Sequence, residues 1–340
     1  MTGTASAMSA PDRELVSRLK FVEPIVRETP VIRIDEPGLE LHAKLEYLNG
    51  IGSVKDRPAL WILKRAIERG DIGPRTLVVE SSSGNFACAL ATFAMMLQLE
   101  FIPVIDPNIA PINEAYLRTT CRQVIRVEDR DDTGGYLKTR LRTVKALLAT
   151  RRDAYWTNQY DNIDGAAAHY HMTGPEICRA VPDADYVFLG VSSAGTIAGV
   201  SRRVRECIPS ARIIAVDVEG SVIFGRPAKR RLIPGLGSSI SPGLVAQAII
   251  DDVEIVSELD AVRGCHRLLS AHGLFVGGSS GAVYAAIQRY FARAPAPAVR
   301  PRVVFLCCDR GSPYVTSVFN ARWLAEHMPG FDPAAEQSIT

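Results

Sequence analysis

Short runs of branched and aromatic apolar residues alternate along this chain with longer segments whose apolar positions recur at helical spacing. The short runs fall at 77–80, 101–106, 123–127, 186–189, 212–216 and 303–307, and helices are expected over 86–97, 113–120, 196–207 and 281–291. Strand followed by helix, repeated, predicts an α/β protein whose parallel sheets are covered by helices. The first strand runs into Ser81-Ser82-Ser83-Gly84-Asn85, and the fourth into Gly190-Val191-Ser192-Ser193-Ala194-Gly195-Thr196. In open α/β sheets ligands bind beyond the carboxyl ends of strands, where both polar loops fall. The Ala-Pro run at 294–301 reads as a surface loop, and the segment before Asp12 as a loose end.

Length and composition narrow the picture without giving chemistry. A chain of 340 residues exceeds what one core usually supports, so two domains are expected. A net charge of +2 gives no reason to expect a nucleic-acid or membrane partner, and Lys229, Arg230 and Arg231 read as a solvated face. The seven cysteines form neither a Cys-x-x-Cys pair nor a comb with zinc spacing, which suits a reduced, cytoplasmic protein with no metal centre. Residues 1–10 lack the basic start and apolar core of a secretory signal, and no apolar run is long enough to span a bilayer.

Four loops carry candidate chemistry. In Gly52-Ser53-Val54-Lys55-Asp56-Arg57-Pro58, a helix starting around Pro58 sets the Lys55 ammonium at a positive helix end. That placement lowers its pKa and favours a neutral, nucleophilic amine; the plainer reading is an exposed lysine in a turn. The hydroxyls and N–H groups of Ser82-Ser83-Gly84-Asn85 make either an anion site or an ordinary helix cap. Ser192 to Thr196 lets backbone amides approach a phosphate but has neither the dinucleotide nor the P-loop glycine pattern. Gly277-Gly278-Ser279-Ser280-Gly281-Ala282 is a tight loop before the last predicted helix.

Individually weak, these loops are specific in combination. With Glu28-Thr29-Pro30, Lys44-Leu45-Glu46, Thr173-Gly174-Pro175-Glu176-Ile177 and Asp309-Arg310-Gly311, residues 28–325 resemble the fold-type II pyridoxal-phosphate enzymes. The nearest branch is the cysteine synthase and cystathionine β-synthase family. The resemblance implies a tryptophan synthase β-like fold: two three-layer α/β domains with pyridoxal 5′-phosphate in the cleft between them. Residues 1–45 and 152–328 would form the larger, cofactor-binding domain, 46–151 a smaller domain that closes over substrate, and 329–340 a flexible tail. It also implies a homodimer acting on small amino acids.

Carried over by position, the resemblance makes Lys55 the Schiff-base lysine and the base that removes the α-proton. Asn85 would meet the cofactor's 3′-oxygen, and Ser192, Ser193, Ala194, Gly195 and Thr196 its phosphate. Ser279 would meet the pyridine nitrogen; a hydroxyl there leaves the nitrogen unprotonated, which suits prompt β-elimination. Ser82, Ser83 and Gly84 of the second loop, with Gln159, would bind the substrate carboxylate.

Two departures weaken a plain cysteine synthase reading. Phe86 stands where that branch has a threonine after Asn, and Ser192-Ser193-Ala194-Gly195-Thr196 replaces Gly-Thr-Gly-Gly-Thr. Other local features are Lys44 to Asn49, Gly134-Gly135-Tyr136-Leu137, Asp153 to Tyr160, His169-Tyr170-His171 and Gly220 to Gly225. They resemble a branch that joins O-phospho-L-serine to the amine of L-glutamate through an α-aminoacrylate, releasing phosphate. Its product feeds 2,3-diaminopropionate and siderophore synthesis. Arg140 is then a bidentate partner for phosphate or a glutamate carboxylate, or else a surface arginine on a helix shared with Arg142 and Lys145. Tyr160 reads as a hydroxyl donor or a packed aromatic. His169 and His171 read as structural. A sulfide-using cysteine synthase, with O-acetylserine or O-phosphoserine, and a dehydratase-type lyase stay open.

Overall fold

The computed structural model describes residues 11–293 and 299–332, so the expected loose N-terminus, most of the Ala-Pro run and most of the 329–340 tail lie outside the described residues. Two sheets organise the chain. One has four strands in the order β5-β4-β3-β6 and the other six in the order β1-β2-β10-β7-β8-β9.

The smaller sheet comprises β3 (Leu77–Ser81), β4 (Glu100–Ile105), β5 (Ile125–Arg126) and β6 (Ala154–Trp156), all parallel. Side chains alternate across it as the pleat requires. Val78 enters a core with helices α1 (Arg13–Val22), α2 (Asp56–Arg69) and α3 (Asn85–Leu97), while Leu77 and Val79 face α5 (Leu137–Thr150). Helix α4 (Pro111–Thr120) packs beside α3 and adds Leu117 to the first core.

The larger sheet comprises β1 (Val31–Glu36), β2 (Leu39–Leu45), β7 (Tyr186–Gly190), β8 (Arg212–Val218), β9 (Asp252–Val256) and β10 (Arg302–Cys307). Only the β1–β2 hairpin is antiparallel. In β10, Val303, Phe305 and Cys307 face the core shared with α9 (Glu258–His272) and α10 (Gly278–Phe291). Val304 and Leu306 face the core shared with α6 (Ile163–His171), α7 (Thr173–Ala180) and α8 (Gly195–Cys207). The short α11 (Ala321–His327) closes a separate cluster against α9. Both units are thus three-layered.

The expected division of the chain needs two changes. Leu15, Leu19 and Val22 of α1 are buried in the smaller unit's core, so the segment before β1 does not belong wholly to the larger unit. The boundary at 151/152 falls ahead of β6, which pairs with β3, so the smaller sheet continues to Trp156. Element bounds also move by one to three residues. The strand expected at 123–127 shortens to Ile125–Arg126, α10 begins three residues early at Gly278, and α2 begins at Asp56 rather than at Pro58.

Candidate active site

Between the two sheets lies a cavity of about 420 Å³ whose wall includes Lys55, Ser82, Ser83, Gly84, Asn85, Arg140, Gln159, Tyr160 and Ser192. Ser193, Ala194, Gly195, Thr196 and Ser279 do not line this space. Lys55 Nζ stands 3.4 Å from Ser193 Oγ, and Ser279 is buried at the first turn of α10 beside Cys308.

Lys55 is the N-cap residue of α2, immediately before Asp56. Asp56 shapes the loop ahead of it: its carboxylate accepts from the N–H groups of Ile51 (2.8 Å) and Gly52 (3.0 Å) and from Ser53 Oγ (3.2 Å). Burial is the leading cause that lowers the Lys55 ammonium below the ordinary lysine range; Cys308 and Asp309 oppose it. The Cys308 thiol is itself pushed up to about 12 by burial, so no thiolate competes beside the lysine.

Beneath Lys55 lies a charge cluster that the spacing of the sequence does not announce. Arg57 donates from Nε to Glu46 (2.7 Å) and through NH1 to Glu176 (2.7 Å). Lys44 Nζ pairs with Glu176 at 2.5 Å and also donates to Thr29. Lys44, Glu46 and Arg57 are fully buried and Glu176 nearly so. Two cations and two anions cancel, which is what permits charge in so dry a place. The cluster ties β2, α2 and α7 together and fixes the base of the lysine loop.

Asn85 opens α3 at the end of β3, following Gly84 as N-cap with no side-chain cap bond, so Ser82 and Ser83 do not serve as the ordinary helix cap. Asn85 Nδ2 donates to Asp309 Oδ2 at 2.7 Å, and Tyr314 donates to the same oxygen at 2.8 Å. Asp309 is buried, its Oδ1 has no hydrogen-bond partner, and burial raises its pKa. Asp309 and Tyr314 received no role from the sequence, although Asp309 follows the last strand of the sheet.

The loop from Ser192 enters α8 through Ala194, a non-glycine residue in the left-handed region at φ 65°. Among the described residues, no acceptor takes the N–H groups of Ser193, Ala194, Gly195 or Thr196. These free donors at a helix N-terminus suit a phosphate. His169 props the loop, with Nε2 3.2 Å from Thr196 Oγ1 and Nδ1 2.9 Å from Thr173 Oγ1. Burial first, then Arg57 and Lys55, hold its pKa well below the usual histidine value, so it is a neutral strut.

At the opposite wall Arg140 is buried on α5, whereas Arg142 and Lys145 are exposed, which removes the surface reading. Its NH1 donates to Ser83 Oγ (3.0 Å) and its Nε lies 3.1 Å from Asp106 Oδ2. Ser83 Oγ in turn donates to Asp106 at 2.8 Å. Tyr160 is buried against the cavity, and burial raises its hydroxyl pKa. Gln159 Nε2 donates to Ser81 O at 3.2 Å. Lys229 and Arg230 are exposed as expected, but Arg231 is half-buried and all three line the cavity, so this basic run is not simply a solvated face. Among the described residues no group of three or more metal-ligating side chains converges.

Two α/β units flanking a half-buried, neutralisable lysine, with an anion cradle on one side, define a pyridoxal-phosphate-dependent β-replacing enzyme. The family model "Pyridoxal-phosphate dependent enzyme" matches residues 22–309, and the chain belongs to this family, in its fold-type II cysteine synthase branch. It is 44% identical over 311 residues to the N-(2-amino-2-carboxyethyl)-L-glutamate synthase of Ralstonia nicotianae, covering 90% of this chain and 91% of that one. It is 41% identical over 305 residues to the enzyme of the same name from Cupriavidus metallidurans, covering 88% and 89%. Among solved structures, it matches the O-acetylserine dependent cystathionine β-synthase of Helicobacter pylori with a TM-score of 0.79, at 28% identity, over 87% and 96% of the two chains.

The residues present fit the cofactor. The free N–H groups of 193–196 suit its phosphate, and Lys55 stands within 3.4 Å of that cradle. Asn85 keeps a second amide hydrogen after its bond to Asp309. Bound pyridoxal phosphate supplies the electron sink for bond breaking at the substrate's α- and β-carbons.

Proposed function

We propose that this enzyme condenses O-phospho-L-serine with L-glutamate, giving N-(2-amino-2-carboxyethyl)-L-glutamate and phosphate. In that exchange the β-carbon–oxygen bond of the phosphate ester breaks, phosphate leaves with the bonding pair, and a bond forms from the glutamate nitrogen to the β-carbon. The amine gives up one proton. The α-proton removed in the first half returns in the second.

The observation that carries this reading is the charge of the cavity wall. Arg130, Arg140, Lys229, Arg230 and Arg231 line it against the single carboxylate of Asp106. A phosphorylated amino acid and a dicarboxylic amine together bring an excess of anions, whereas sulfide does not. The name borne by the relatives at 44% and 41% identity points the same way.

In this scheme Lys55 Nζ carries the cofactor and takes the α-proton. Asn85, its amide turned by Asp309, holds the 3′-oxygen. The N–H groups of Ser192 to Thr196 hold the phosphate of the cofactor, and the Ser279 hydroxyl meets the ring nitrogen. Ser82, Ser83, Gly84 and Gln159 receive the substrate carboxylate, with Arg140 and Tyr160 at the leaving group. The smaller unit closes over the substrate and excludes water. The active species is a homodimer.

Holoenzyme supplied with O-phospho-L-serine and either glutamate or sulfide, with products identified by mass, tests the proposal. The glutamate adduct and stoichiometric phosphate are expected. Cysteine as the preferred product, or pyruvate as the main one, would overturn it.

A further inference from the structure

The basic residues around the cavity are not equivalent. Arg140 is neutralised by Asp106 at 3.1 Å. Lys229 is exposed and 3.9 Å from Glu219. Arg130 is exposed and donates to Gly134 O at 2.6 Å. Arg230 is exposed. Lys55 aside, Arg231 alone is shielded from solvent and, among the described residues, has no carboxylate within salt-bridge distance. Its guanidinium donates to Gly220 O at 3.0 Å and Ser239 Oγ at 3.4 Å, both neutral.

Two acids, Asp217 and Glu258, act on Arg231 through space without touching it. Glu258 accepts from the N–H groups of Leu232 and Ile233, each at 2.7 Å; Asp217 accepts from Val218 N at 2.8 Å through Oδ1, its Oδ2 has no hydrogen-bond partner, and neither acid comes within salt-bridge distance of Arg231. Burial pulls the Arg231 pKa below the ordinary guanidinium value, with Asp217, Glu258 and Tyr160 opposing it. A half-desolvated guanidinium holding only neutral partners on a cavity wall is a standing site for an anion.

Position indicates which anion. Arg231 ends the exposed strap 225–230, on the rim of the cavity, and Tyr160 is within electrostatic reach of both Arg231 and Arg140. Across the mouth, a β-carbon placed on Gly135 would come within 3.4 Å of Ser239 Oγ, so the 134–135 turn of the smaller unit meets the Arg231 support directly. In the reaction proposed above the first substrate takes Lys55 and the loop 82–85, which leaves the Arg231 side of the wall to the second.

Building on the function proposed above, we infer that Arg231 is the specificity residue for the second substrate and binds the side-chain carboxylate of the incoming amino acid. Sulfide and monocarboxylic amines have no such group to offer. The fork of the guanidinium, not its charge alone, selects the carboxylate.

The test uses holoenzyme of wild type, Arg231→Gln and Arg231→Lys, each checked for unchanged cofactor absorbance and melting temperature. Phosphate release is followed against each substrate in turn. Arg231→Gln raises the KM for glutamate by about 10-fold or more, the loss expected for a charged hydrogen bond. It leaves the KM for O-phosphoserine and turnover with sulfide near wild type, and Arg231→Lys recovers part of the loss. An unchanged glutamate KM overturns the inference while the proposed reaction stands. A rise confined to O-phosphoserine also overturns it and assigns Arg231 to the phosphate instead. If wild type forms no glutamate adduct by mass, the proposed reaction and this inference fall together.

Discussion

At the residue scale the site rests on one lysine whose burial makes it reactive. Lys55→Ala is expected to abolish the visible band of the lysine-linked cofactor and to lower turnover by about 10³-fold, within the range for a positioned proton-transfer group. An unchanged spectrum would remove Lys55 from the chemistry. Its neighbour Asp56 gives a prediction in pH. Burial raises the Asp56 pKa from 3.8 to about 6, so folding favours the protonated acid. The stability this group contributes is full below about pH 4 and is lost as pH rises through its folded value, a change of about 3 kcal/mol. Urea denaturation should show wild type losing that much relative to Asp56→Asn across this window. A stability difference independent of pH would contradict the assignment.

Elements place these residues, and two helix starts are sensitive. Ala194 holds a left-handed conformation at φ 65°, tolerable for a small side chain but strained for a β-branched one. Ala194→Val should cost about 1–3 kcal/mol and weaken cofactor binding, both readable by thermal melting with and without added cofactor. Helices α9 and α10 touch backbone to backbone: a β-carbon at Gly264 would lie 2.0 Å from Gly281 O. Gly264→Ala should therefore displace the start of α10, which carries Ser279, and destabilise by about 1–3 kcal/mol.

Strands with a run of at least three consecutive buried residues leading into a polar loop, as in β3, β7 and β10, were legible in the sequence. Not so β1, β2 and β9, whose partly buried faces mix charge with apolar residues, and the three-residue β6. The lysine loop, Asn85 and the 192–196 turn were legible because glycine and serine punctuate them. Asp309 and Asp106 were not, since their partners Asn85 and Arg140 are distant in the chain; Tyr314 and Arg231 were not, since their nearby contacts gain meaning only where the folded loops meet the cavity. Arg57 was visible only as a family motif letter; its four-charge partnership depends on Glu46 and Glu176.

For the whole molecule, that partnership is the joint holding the lysine loop to both units. Arg57→Ala leaves two buried carboxylates facing Lys44 alone and should cost about 3–5 kcal/mol, read from denaturant midpoints. Arg57→Lys should recover little of it, because one ammonium cannot reproduce the forked contact to Glu46 and Glu176. A surface-like loss below about 1 kcal/mol would show that the cluster is not the joint described.

The strand order carries a consequence for how the enzyme is made. β10, at Arg302–Cys307, is inserted between β2 and β7, so a central strand of the six-stranded sheet is the last of the described strands to leave the ribosome. The four-stranded unit is encoded entirely ahead of Thr157 and has all its strands long before then. During synthesis the β1–β2 hairpin and β7 must wait with open edges while the smaller unit is already assembled around α1. Nascent chains halted before residue 302 would therefore carry the lysine in a folded half-site and expose the other half to aggregation.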